Sequence, residues 1–146
     1  MFFQAAGFLG SILSASATIA QGQERKRQKE AEAAQLEQER FQRKIQTMEA
    51  HNDILDQLEE AEEANESLYG FMNRDDDNSL RAFNQSQKDL ASSDLRRVGF
   101  KGLAEQEQLR LRKMSAIRAG ESAVRTANLQ AASTVLSGAM DYYQNS

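Results

Sequence analysis

The 146 residues carry a net charge of −4 and include no proline, no cysteine and no tryptophan. Without cysteine there is no disulfide framework, no cysteine-ligated zinc or iron–sulfur site and no thiol nucleophile; the single histidine, His51, leaves no two-histidine metal site or proton relay. A chain of this length without proline, rich in Ala, Gln, Glu, Arg and Leu and with mean hydropathy −0.68, has the composition of extended helices rather than of a compact mixed fold.

Residues 1–23 contain no charged side chain. A helix of about 20 residues spans the roughly 30 Å hydrocarbon core of a bilayer, so this stretch just reaches, but its serines and glutamines make it a weak inserter by itself. Phe2 and Phe3 open the run; further along, Phe8, Leu9, Ile12, Leu13 and Ile19 share one side of a helix. Gly7, Ser11, Ser14 and Thr18 form a second strip of small residues, with Gly10 between, of the kind that lets helix backbones approach closely. Two readings follow, a membrane-associated segment and a packing helix of a soluble bundle, and the sequence favours neither. A secretory signal is not expected: Ala15-Ser16-Ala17 imitates a cleavage site, but no Lys or Arg precedes the apolar run.

Arg25, Lys26, Arg27 and Lys29 follow at once, placed to meet anionic head groups at a membrane boundary or a protein partner. Residues 24–69 read as one charged, coiled-coil-like helix. Phe41, Ile45, Met48, Asn52 and Leu55 recur at four- and three-residue steps, a heptad-like seam with Asn52 at an inward position. From Glu49 to Glu66 every charged side chain is acidic, eight in all, whereas residues 24–44 are more basic than acidic. Such an acidic block is ordinarily a solvated face, with docking onto a basic partner as the sharper alternative. A continuous polar helix offers no pocket in which two carboxyls acquire different acidities, so no catalytic pair is expected here.

Residues 70–79, GFMNRDDDNS, form the best break in the chain, with Asp77, Asn78 or Ser79 as candidate caps for a helix starting near Leu80. The spacing fails the EF-hand pattern, with no glycine at the sixth position and no glutamate at the twelfth, and a turn is predicted. A helix over 80–98 is predicted next, then a glycine hinge at 99–102. Its GxxG recurs in KH domains, but the flanking strands of that fold are missing. The last predicted element, 103–146, is a basic helix ending in a small-residue apolar segment from Thr126 to Met140, with Tyr142 and Tyr143 beyond it as candidates for an interfacial belt. Arg96, Arg97, Lys101, Arg110, Arg112, Lys113, Arg118 and Arg125 make residues 96–125 basic, a stretch suited to phosphate or to the acidic block of another copy; the interspersed Gln, Glu and Ala favour protein pairing.

The predicted fold is therefore all-α: long helices forming a hairpin with its turn near 70–79 and arms of about 100 Å at ~1.5 Å per residue. A slender helix pair encloses little core, so homo-oligomerisation into a ring or tube is expected. No enzyme activity, cofactor or metal is expected.

The opening MFFQAAGFLGSILSASATIAQGQ, followed by ERKRQKEAEAAQLEQERFQRK, resembles the small internal virion or DNA-ejection proteins of short-tailed bacteriophages, and more distantly the DNA pilot proteins of small single-stranded DNA phages. The resemblance covers the first third best and otherwise lies in helical character. It implies a protein held inside the capsid and released at infection. It also implies assembly with other ejection, portal or tail proteins into a conduit for the genome across the host envelope. The host membrane and non-specific contact with the viral genome belong to the same implication, and no catalytic residues come with it. This chain is shorter than pilot proteins, which favours partnership with larger ejection proteins over a complete tube of its own. A soluble helical adaptor or scaffold without membrane insertion is the alternative.

Overall fold

The computed structural model describes residues 2–72 and 78–144, with side chains placed for residues 9–72, 78–141 and 143. Two helices account for it: α1, Phe2–Phe71, and α2, Asn78–Gln144. They pack against each other as an all-α helical hairpin, with no strand among the described residues. Absence of proline and a run of strong helix formers leave the i→i−4 ladder unbroken over each of these lengths. No boundary separates residues 1–23 from 24–69, which are parts of α1. That helix ends where the Met72 amide donates to the Leu68 carbonyl at 3.2 Å, two residues into the stretch 70–79 predicted as the turn. Asp77, one of the three candidate caps, lies with residues 73–76 outside the described residues, while Asn78 and Ser79 are the first residues of α2.

One expected break is absent. The hinge at 99–102 is a continuous part of α2. At Gly102 the glycine serves proximity instead of flexibility: a Cβ added there would lie 2.5 Å from Thr47 Cγ2 and Oγ1. Gly99 faces open space, and the helix hydrogen bonds of its neighbours hold it in register.

The packing falls into two units, Gln38–Leu109 and the pair of segments Met1–Glu37 with Arg110–Ser146. In the first, the helices run antiparallel, as Thr47 against Gly102, Glu62 against Lys88 and Asn65 against Asn84 require. The inward positions of α2 include Leu80, Ala91, Gly102 and Leu109. The first three recur every eleven residues, and Ala91 and Leu109 are eighteen apart, which is three and five turns of an ordinary 3.6-residue helix. On α1 the facing side carries Thr47, His51, Ile54 and Leu58.

In the other unit, antiparallel packing is fixed by Ser11 against Gly138, Gly22 against Ala127, Lys29 against Gly120 and Glu37 against Lys113. Ser11, Gly22 and Ala33 on α1 and Ala116, Ala127 and Gly138 on α2 repeat at eleven residues. Across the described residues the buried apolar set is Ala15, Ala33, Leu80, Ala91, Leu109, Ala116, Ala127 and Ala131. Six of these eight are alanine, so the seams bring backbones close but remove little apolar area per turn from water.

Candidate functional site

Apart from the buried Leu80 and Leu109 and the half-buried Ile54 and Leu58, many of the larger apolar side chains are exposed. Phe41, Ile45, Met48 and Leu55, the heptad-like seam predicted from sequence, are exposed, Phe41 by 63%, and Asn52 is exposed with them. The reason is a one-residue offset. Thr47 and Ile54 face α2, and Met48 and Leu55, the next residues along, lie about 100° further round the helix. Heptad spacing marked a real stripe, but one that is exposed instead of buried in the seam. On α2, Phe100, Leu103, Leu111, Met114 and Leu129 are likewise exposed.

Among the residues proposed for membrane contact or packing, Phe2, Phe3, Gly7 and Phe8 lie outside the described side chains. The others divide between two faces. Leu9, Ile12 and Leu13 are exposed, Leu13 by 69%. Ser11, Thr18 and Ile19 are half-buried, and Ala15 and Gly22 are buried at the seam. Ser14 is exposed, with its carbonyl accepting the Thr18 hydroxyl at 2.9 Å; Ala15 occupies the inward position instead. Gly10 faces open space, so no neighbour requires a glycine there.

The basic cluster is partly absorbed by its own helix. Lys26 pairs with Glu30 at 3.5 Å and Lys29 with Glu32 at 2.6 Å. Lys29 also lays its stem over Gly120: a Cβ added at that glycine would be 3.1 Å from the Lys29 Cβ. Arg25 lines a shallow groove of about 370 Å³ with Thr18, Gln21, Gly22 and Ser122, while Arg27 is exposed. These pairs are solvent-accessible and each is worth less than about 1 kcal/mol. The groove has hydroxyls and amides but no convergent set of acid, base and nucleophile.

Charge is unevenly divided. Residues 38–109 hold nine basic and sixteen acidic side chains, net −7; residues 1–37 and 110–146 hold nine basic and six acidic, net +3, which together give the −4 of the whole chain. Within the acidic block, Glu62 is met by Lys88 across the seam at 3.0 Å. Glu49, Asp53, Asp56, Glu59, Glu60, Glu63 and Glu66 are exposed. His51 is half-buried beside Thr47, Met48 and Asn52, and no cluster of three or more metal-ligating side chains occurs among the described residues. No described helix is long and apolar enough to cross a membrane.

The chain matches no protein family model, and no curated protein or solved structure is significantly similar to it. What the described residues present is exposed apolar side chains on both helices, bordered by an acidic run on α1 and a basic run on α2.

Proposed function

We propose that the chain is a multi-copy structural component of a short-tailed bacteriophage particle, an internal virion or ejection protein. In this reading it self-associates and, with other ejected proteins, helps form a passage for the genome across the host envelope. The observation that carries the reading is the division of apolar residues. Alanine fills the intrachain seam, while Phe41, Met48, Phe100 and Leu111 remain outside. A helix pair arranged in this way is stabilised by covering those stripes with protein, and the leading residues, uncharged to Gln23, supply an end that tolerates both water and lipid poorly when isolated. The host membrane enters as a surface met by grouped copies, because no described helix has the length and apolarity to cross alone.

That same property favours a second reading, a helical scaffold or adaptor within a virion that never enters lipid. The two separate in one experiment. Full-length chain and a variant lacking residues 1–23 are mixed with vesicles of mixed neutral and anionic lipid and floated on a density gradient. Ejection predicts flotation that depends on residues 1–23, and scaffolding predicts none. Location in particles before and after genome release completes the test: a protein that stays in the emptied shell refutes the ejection reading.

A further inference from the structure

The exposed stripe on α1 does not end at Leu55. Its stepping continues into Glu59 and Glu66, four and eleven residues beyond Leu55, and both are exposed. On α2 the exposed Met114 is followed at the same four and eleven residues by Arg118 and Arg125, also exposed. At these positions the two stripes share one spacing with opposite charge, while the same shift sets Ile45, Met48 and Asn52 against Ala104, Glu107 and Leu111. The correspondence extends the other way, since Phe41 precedes Leu55 by the fourteen residues that separate Phe100 from Met114. Both phenylalanines are exposed, Phe100 by 73%.

We propose that the α1 stripe of one copy docks on the α2 stripe of a second copy, the two helices running in the same direction. Leu55 then lies beside Met114, Phe41 beside Phe100, and Glu59 and Glu66 opposite Arg118 and Arg125. Apolar residues supply most of the affinity; the charges set direction and register and reject the alternative of like stripes pairing, which sets carboxylate against carboxylate or guanidinium against guanidinium. The occupant is a second copy because the chain itself carries both halves of the match, exposed carboxylates at Glu59 and Glu66 on α1 and exposed guanidinium groups at Arg118 and Arg125 on α2. The inference rests on the self-association proposed above and names the surface responsible for it.

The test uses two full-length variants, Glu59→Lys with Glu66→Lys, and Arg118→Glu with Arg125→Glu. All four substitutions exchange one good helix former for another, and unchanged circular dichroism checks that each variant folds. By sedimentation at moderate salt, each variant alone should self-associate about tenfold more weakly than the original chain, because two attractive pairs become repulsive. Mixed in equal amounts, the two variants should associate again, since lysines on one α1 meet glutamates on the other's α2 and the remaining original stripes also match. A second readout exploits the absence of native cysteine: Leu55→Cys copies mixed with Met114→Cys copies should form a disulfide-linked heterodimer under mild oxidation. Self-association unaffected by either double reversal, or failure of the mixture to recover it, overturns the docking while leaving self-association standing. A chain that stays monomeric at high concentration overturns both.

Discussion

Two glycines three residues apart on α2 should respond in opposite directions to the same substitution. At Gly99 a new Cβ meets nothing within 4 Å, so Gly99→Ala should collect the ordinary helix-interior gain of about 1 kcal/mol. At Gly102 the same gain is available, but the new Cβ would sit 2.5 Å from Thr47 Cγ2 and Oγ1 and 3.0 Å from its Cβ. Thr47 cannot turn aside cheaply. It is β-branched in a helix, and its hydroxyl donates to the Arg43 carbonyl at 2.8 Å. Overpacking of this kind costs about 1–3 kcal/mol, so Gly102→Ala should be net destabilising by up to about 2 kcal/mol. Thermal unfolding followed by far-ultraviolet circular dichroism at fixed protomer concentration reads the difference. A chain of this size shifts by about 2–4 °C per kcal/mol, with Gly99→Ala melting higher and Gly102→Ala lower than the original. Thr47→Ala removes the two nearest atoms, so in that background Gly102→Ala should lose most of its penalty, giving a coupling of at least 1 kcal/mol in a double-mutant cycle. If Gly102→Ala raises the melting temperature as much as Gly99→Ala does, the close approach of the two helices at this point is wrong.

Three further outcomes are expected. Gly22→Ala and Gly138→Ala should each destabilise the chain, because their added methyl groups run into Ala127 and Ser11, whereas Gly10→Ala, facing open space, should not; chemical denaturation reads all three. The Lys113–Glu37 pair, 3.0 Å apart and with both side chains at least a third exposed, should show a coupling below about 1 kcal/mol, reduced by 0.5 M salt, in a cycle of Lys113→Ala and Glu37→Ala. Removing the stripe's largest member by Phe41→Ser should leave helicity and melting of dilute protein within about 0.5 kcal/mol of the original while weakening self-association, and a large loss of monomer stability would place Phe41 in the seam after all.

The two long helices of the hairpin were legible because they follow from composition and from punctuation: no proline, and one tract of glycine, asparagines and aspartates between two long runs of helix formers. Which face packs inward was harder to read. Large apolar residues ordinarily mark the core, so Phe41, Ile45, Met48 and Leu55 drew the eye, yet the seam lies one residue earlier at Thr47 and Ile54. Small residues carry little signal on any hydrophobicity scale, and their eleven-residue recurrence does not resemble a heptad. The glycine pair at 99 and 102 misled for a related reason. From sequence a helical glycine suggests a hinge, while its partner across the seam, Thr47, is 55 positions away and invisible until the helices are paired. In the leading segment Leu9, Ile12 and Leu13 are exposed while Ser11 and Thr18 are half-buried, but Ile19 is half-buried too, and Ala15 rather than Ser14 lies innermost.

The alanine seam has a mechanical consequence. A globular core resists pulling until one large interlocked residue gives way, and then it yields all at once. Here most turns release only a methyl or two, on the order of 1 kcal/mol of burial, so force applied at an end parts the helices like a zip fastener, with larger steps expected only at Leu80 and Leu109. With no prolyl bond to isomerise and no disulfide to reshuffle, the parted strands close again without either of the slow steps that commonly delay refolding.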